Sequence, residues 1–307
     1  MKKTTVIYHR ADFDGLFCRE IAHKFLPDAE LIGWDYGDPL VPMPDGQLYI
    51  LDLSPDCCPE SLATPHGHGR LIWIDHHKSA IEKLPNTISG YRIDGVAACR
   101  LAWQWFKAWG RYLNQTTDSS RDIDWFQSHY PLPQKTDFID RKVEEPLAVR
   151  LAGEYDIWDK RDPDAELFQH GLRSRDLDQN AWERLLMVND ESLEVPSLLL
   201  GGKAIQYFQE RQNQSIITSY GFNVEWEGLV FLACNHARFN SQLFTAGIKP
   251  SHDALLGFNW TGEHWRVSLY HAPGKEQHDL SQIAVKHGGG GHRGACGFRC
   301  DKLPFIT

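Results

Sequence analysis

Three short apolar runs, each ending in or beside an ionisable side chain, constrain this chain more than any other feature. They are Thr5 to His9, Leu48 to Leu53 and Leu71 to Asp75. Apolar runs without alternation are the pattern of strands buried on both faces of a parallel sheet, whereas a half-exposed strand would alternate. Each run is followed by polar residues. After the first, Phe17, Ile21 and Phe25 recur at helical spacing, giving strand, loop and buried helix in succession. Further helices are expected from about Val96 to Trp109 and from about Glu145 to Trp158. The expected fold class is therefore α/β, with a mainly parallel sheet flanked by helices. In such sheets the ligand crevice lies beyond the carboxyl ends of the strands, where His9, Asp12, Asp14, Asp52 and Asp75 would meet.

The rest of the chain is organised differently. Arg111 to Lys142 is polar, carries two prolines and shows no sustained apolar period, so it is expected to be an insertion or long surface loop. A short helix is expected near Trp182 to Val188. Asn189 to Gly202, with Pro196 and the pair Gly201-Gly202, offers a breakpoint, and a polar helix follows from Lys203 to Ser219. Phe222 to Trp226, Leu229 to Cys234, Ala254 to Trp260 and Trp265 to Tyr270 read as strands of a smaller mixed α/β domain. The expected division is a catalytic domain over 1–190, a linker and connecting helix over 191–219, and a substrate-binding domain over 220–307. A chain of 307 residues exceeds the size at which one core usually stops growing, which agrees with two domains.

Composition narrows the functional classes. With 42% hydrophobic and 24% charged residues the chain is globular, and no stretch is apolar and long enough to cross a bilayer. MKKTTVIYHR has too short an apolar run for a secretory signal, so the expected location is the cytoplasm. Seven cysteines without a paired C-x-x-C unit suggest reduced thiols rather than a disulfide framework or a zinc knuckle. A net charge of −9 disfavours sequence-independent binding of long duplexes, because that affinity comes from cations displacing phosphate counterions. Short anionic substrates remain compatible with it.

The candidate chemistry lies in five segments. HRADFDG holds His9, Asp12 and Asp14 ahead of Gly15; YILDLSPD holds Asp52; LIWIDHH ends in Asp75, His76 and His77; GEYDIWDK offers Asp156 or Asp159. Any one of these could be ordinary. Carboxylates are favoured as helix N-caps, and histidines after a strand can be a solvated turn. Together they supply histidines and acids, a nitrogen and oxygen set that suits Mn²⁺ or Mg²⁺ better than a thiolate-bound zinc. The fifth segment is GGGGHRGACGF, from Gly288 to Phe298. Backbone without side chains can approach an anion closely, and Arg293 can bind phosphate through two N–H groups, although glycine runs are more often plain loops.

HRADFDG, LDLSPD, IDHHK and GEYDIWDK, in that order, resemble the four N-terminal motifs of the DHH phosphoesterase family, and GGGGHRGACGF is similar to the GGGH motif of its DHHA1 subdomain. The spacing in HRADFD is one residue shorter than the HxxPDxD form of that family. The resemblance implies two divalent cations, Mn²⁺ foremost with Mg²⁺ as alternative. One would be held by His9, Asp12 and Asp52, the other by Asp14, Asp52, His76 and Asp156. It further implies a supporting role for Asp75, contact of His77 with substrate, and binding of a phosphate or terminal nucleotide by Gly289, Gly290, Gly291, His292 and Arg293. The implied activity is hydrolysis of short single-stranded oligonucleotides to mononucleotides, as in nanoRNases. Cyclic-dinucleotide hydrolysis, exopolyphosphatase or pyrophosphatase chemistry, and non-catalytic nucleotide binding are the alternatives. A small phosphoester is the expected partner, with no long duplex and no membrane, and a homodimer is compatible with the sequence.

Overall fold

A computed structural model describes residues 3–63, 70–115, 123–188 and 193–305. The chain divides into two compact units, Met1–Lys203 and Ala204–Thr307. The first is built on five parallel strands, β1 (Thr4–His9), β2 (Glu30–Trp34), β3 (Gln47–Leu51), β4 (Leu71–Asp75) and β5 (Gly90–Arg92), in the order β2-β1-β3-β4-β5. Val6, Tyr49, Leu51, Ile72 and Ile74 enter one core with Phe17, Ile21, Trp105 and Phe168 from the helices Phe13–Phe25, Ala98–Gln115 and Asp164–Arg173. Ile7, Leu48, Ile50, Leu71 and Trp73 enter another, which Ala80 and Ile81 of the helix Lys78–Lys83 cover. Both faces are buried, and that is why these strands lack alternation in the sequence. The expected α/β class is the observed one.

Two strands escape a reading from apolar runs. β2 lies at the sheet edge with most of its residues half-buried, and β5 has three residues, so neither needs a continuous apolar run. The expectation of a long loop over 111–142 is corrected. Ala98–Gln115 runs into that segment, and two short helices, Ile123–His129 and Lys135–Ile139, follow; residues 116–122 lie outside the described residues. These helices have 7 and 5 residues and anchor through fully buried Phe126 and Phe138. So short a helix shows too few apolar contacts for a period to emerge.

The helix expected from Lys203 to Ser219 starts earlier than expected, within the segment Asn189–Gly202. One continuous helix, Glu194–Tyr220, passes through Pro196, Gly201 and Gly202 and crosses the division between the units. Pro196 is tolerated in the first turn, where its missing N–H would have had no partner. Gly202 is a packing residue, because a Cβ there would lie 1.8 Å from the carbonyl oxygen of Leu167. Gly171 is its counterpart, with an added Cβ 2.2 Å from the carbonyl oxygen of Leu198. Two helices approach backbone to backbone at these glycines.

The second unit carries a six-stranded mixed sheet of β6 (Phe222–Trp226), β7 (Leu229–Asn235), β8 (Ala254–Trp260), β9 (Trp265–His271), β10 (Gly290–His292) and β11 (Ala295–Cys300). The order is β10-β11-β9-β8-β7-β6, antiparallel except for β7 beside β8. Four of these strands match the sequence expectation. The glycine-rich segment does not: part of it is β10, hairpin-paired with β11. Gly288, at φ 77°, stops the helix Leu280–Lys286, and the N–H groups of Gly288 and Gly289 donate to Val285 and Ala284. Gly289 and Gly291 sit against backbone of the β11 hairpin partner, whereas a Cβ on Gly290 would meet nothing within 4 Å.

Candidate metal centre

The strand order reverses between β1 and β3, and in an open parallel sheet that reversal opens a crevice at the carboxyl ends. His9 ends β1 and Asp52 follows β3. The Phe13–Phe25 helix starts close against β1 because residue 15 is glycine; a Cβ there would lie 1.9 Å from the carbonyl oxygen of His9. Asp12 caps that helix, accepting from the Gly15 N–H at 3.0 Å. Asp14, in the first turn of that helix, accepts from the backbone N–H groups of Ala98 (2.8 Å) and Cys99 (2.7 Å), at the start of another helix. Asp52 has a left-handed backbone, φ 59°, and its N–H donates to Ile74 at 2.9 Å.

Asp156 is the last residue of the helix Leu147–Asp156. Fully buried Glu154 fixes that helix, accepting from Arg141 at 2.9 Å through each carboxylate oxygen and from Arg150 at 3.0 Å. Of the two acids in GEYDIWDK, Asp156 turns towards the centre, while Asp159 accepts from the Arg161 side chain at 2.5–3.0 Å.

Asp52 stands between the two histidines. Its Oδ2 lies 3.5 Å from Nδ1 of His9, and its Oδ1 lies 3.4 Å from Nε2 of His76. Nδ1 of His9 is 2.8 Å from Oδ2 of Asp12; Nε2 of His76 is 3.6 Å from Oδ2 of Asp14 and 3.3 Å from Oδ2 of Asp156. The structure thus brings all six expected ligands together, as overlapping sets that include His9–Asp12–Asp52 and Asp14–His76–Asp156. A third set joins Asp52, His76 and His77.

Within the cluster the carboxylates and imidazoles shift one another's protonation. Contact with the Asp12 and Asp52 carboxylates pushes His9 up to about 10. For His76 burial opposes the charge, but Asp52, Asp14 and Asp156 outweigh it and raise the imidazole to about 10. Burial, reinforced by the charge of Asp14, lifts Asp156 to about 7, and burial with the charge of Asp52 lifts Asp14 well above the carboxylate range. Nδ1 of His9 and Oδ1 of Asp52 are buried without a well-formed hydrogen bond among the described residues. Buried carboxylates gathered around two imidazoles fit divalent cations, which bind the deprotonated forms.

Beside this cluster Asp75 is fully buried, and its Oδ1 accepts from the backbone N–H groups of His76 (2.7 Å) and His77 (3.2 Å) and meets Nδ1 of His77 at 2.7 Å. His77 keeps 43% of its side chain exposed. In the second unit the residues of the glycine motif lie on and next to β10; His292 ends that strand, and Arg293 donates to the Gln277 carbonyl at 2.9 Å. A reading from motifs misses Asp35, whose Oδ1 lies 3.4 Å from Nε2 of His9. It follows edge strand β2, which leaves no run in the sequence to flag it.

No family model matches the chain. An uncharacterized protein of Acanthamoeba polyphaga mimivirus is 24% identical over 233 residues, 74% of this chain, and the chain spans about half (47%) of that relative's length. Among solved structures, the pGpG-specific phosphodiesterase PggH of Vibrio cholerae matches over 98% of this chain and 94% of its own, with a TM-score of 0.51 at 14% identity. The chain shares the fold of that phosphodiesterase. RecJ of Thermus thermophilus, solved with Mn²⁺, is also similar, at 13% identity and a TM-score of 0.46, over 98% of this chain and 50% of that one. In motif order and in fold, the chain resembles the DHH/DHHA1 phosphoesterases.

Proposed function

We propose that this chain is a divalent-cation-dependent phosphoesterase that hydrolyses short single-stranded oligonucleotides to mononucleotides. The observation that carries the reading is Asp52, whose two carboxylate oxygens face different histidines, each within a set of further ligands. His9, Asp12 and Asp52 would hold one ion, and Asp14, Asp52, His76 and Asp156 the other, with Mn²⁺ preferred to Mg²⁺. Such a pair supplies an activated water nucleophile and neutralises charge on the phosphoryl oxygens.

The chain's own residues do the rest. Asp75 takes the Nδ1–H of His77, which leaves Nε2 on the exposed side as the atom that exchanges a proton. The hydrogen bond to that carboxylate also raises His77 above its ordinary value, which favours the protonated form that would donate to the departing alkoxide. In the second unit, the open backbone at Gly290, with Gly289, Gly291, His292 and Arg293, would bind the phosphate or terminal nucleotide. The likeness to a pGpG-specific phosphodiesterase is in keeping with a linear dinucleotide as substrate.

The deciding experiment incubates the Mn²⁺-loaded protein with pApA, pGpG, longer labelled oligonucleotides, cyclic dinucleotides and polyphosphate, and resolves the products by chromatography. Mononucleotide release, fastest from the dinucleotides, is expected. Orthophosphate from polyphosphate with oligonucleotides untouched would instead assign exopolyphosphatase chemistry, and tight Mn²⁺ binding without cleavage of any substrate would assign a binding protein.

A further inference from the structure

His9 is the candidate ligand with carboxylates at both ring nitrogens. Nδ1 faces Asp12 and Asp52, whereas Nε2 faces Asp35 on the far side, at 3.4 Å. Asp35 reaches that position through a turn built for it. In the parallel ladder His9 is paired with Trp34, so the residue after Trp34 emerges beside the end of β1. The turn closes with the N–H of Asp38 donating to the carbonyl of Asp35 at 3.0 Å, and Gly37 supplies φ 106°. Asp38 then ties the turn down: its carboxylate accepts from the N–H of Asp35 at 2.8 Å and from two guanidinium nitrogens of Arg10 at 2.6 and 3.0 Å. Arg10 is the residue next to His9. Oδ1 of Asp35 is further oriented by the Tyr36 N–H at 2.7 Å, and the Tyr36 ring meets the His9 ring edge-on at 6.1 Å.

We infer that Asp35 is the positioning residue for His9: by accepting the Nε2–H it leaves the Nδ1 lone pair directed at the ion held with Asp12 and Asp52. The inference rests on the two-cation reading above. A neutral imidazole carries one N–H, and the group that binds that proton decides which nitrogen can ligate. Outer carboxylates of this kind typically change metal affinity by about 10–100-fold when removed. The geometry adds a specific signature, because Asp35 faces His9 and touches none of Asp14, His76 and Asp156. Loss of Asp35 should therefore weaken one of the two ions and spare the other.

The test is calorimetric titration of MnCl₂ into the chelator-stripped full chain, for the unsubstituted protein and for Asp35→Ala, Asp35→Asn and Asp52→Ala, with thermal unfolding of each in EDTA. The unsubstituted protein should bind two ions. Asp35→Ala should weaken one by about 10–100-fold and leave the other and the EDTA melting temperature unchanged. Asp35→Asn, which keeps an acceptor oxygen, should lose less. Both ions binding to Asp35→Ala as in the unsubstituted protein would overturn the inference, and so would equal weakening of both with a lower melting temperature. If Asp52→Ala also bound Mn²⁺ unchanged, or the unsubstituted protein bound none, the metal centre itself would fall.

Discussion

Asp52 shows what the candidate centre asks of a single residue. Its backbone lies in the left-handed region, which costs a non-glycine residue roughly 1–3 kcal/mol and persists where the surroundings impose it. Here the N–H bond to Ile74 and the indole N–H of Trp73, donating to the Leu53 carbonyl at 2.8 Å, hold the turn after β3. The result places one carboxylate between two imidazoles. His77 allows a cleaner test of chemistry, because it is more exposed than His9 and His76 and the role proposed for it is proton transfer. His77→Ala is expected to lower kcat on pApA about 10²–10⁴-fold, the usual contribution of a general acid, while the melting temperature in EDTA stays unchanged. Steady-state kinetics checks this, and an unchanged kcat would remove His77 from the mechanism.

Among the elements, the helices Asp164–Arg173 and Glu194–Tyr220 meet at glycine, and neighbouring residues there should respond in opposite ways. A Cβ at Gly201 would meet only the Arg175 guanidinium, at 3.8 Å, whereas one at Gly202 would be driven into the Leu167 carbonyl. Alanine favours a helix interior over glycine by roughly 0.5–1 kcal/mol. Gly201→Ala is therefore expected to be neutral or slightly stabilising. Gly202→Ala should destabilise by about 1–3 kcal/mol, as overpacking does. Urea unfolding of the two variants decides, and equal midpoints would show that the crossing yields without cost. The buried pair Arg100–Glu145 makes a comparable link between elements, joining the Ala98–Gln115 helix to the segment ahead of Leu147–Asp156.

For the whole molecule, the proton-holding centre sets a pH dependence with a definite sign. His9 and His76 are raised from 6.5 to about 10, so their contribution to stability is complete below about 6.5 and is lost as pH rises towards 10. Asp156 is raised from 3.8 to about 7, and its contribution is complete below 3.8 and lost as pH rises through 7; Asp14 follows the same direction. Asp12, Asp159 and Asp162 are lowered, so they act in acid, losing their contribution as pH falls below 3.8. Between about pH 4 and 10 the cation-free protein should thus become less stable at this centre as pH rises. Cations bind the deprotonated ligands, so the excess of melting temperature in MnCl₂ over EDTA should grow from about pH 5 to about pH 8. Scanning fluorimetry in both buffers reads it; a difference that stays flat or shrinks would contradict the centre as drawn.

The parallel sheet and the meeting of His9, Asp12, Asp14 and Asp52 at its crevice were legible in the sequence because local pattern carries them: an apolar run marks a doubly buried strand, and the acid at its end marks the crevice, whereas the ligand roles came from the motif resemblance. Of the two acids in GEYDIWDK, the local motif match favoured Asp156 over Asp159. In the structure Arg161 engages Asp159, and Asp156 is left at the helix end facing His76. Tertiary structure decided the role of the glycines: GGGG and the Gly201-Gly202 pair read locally as loops, yet a helix stop uses Gly288, a hairpin needs Gly289 and Gly291, and a helix crossing needs Gly202. Glycine records the absence of a side chain, and only the neighbour that fills the space says why. Asp35 follows an edge strand without a run of its own, and its meaning comes wholly from the β1 neighbour that presents His9.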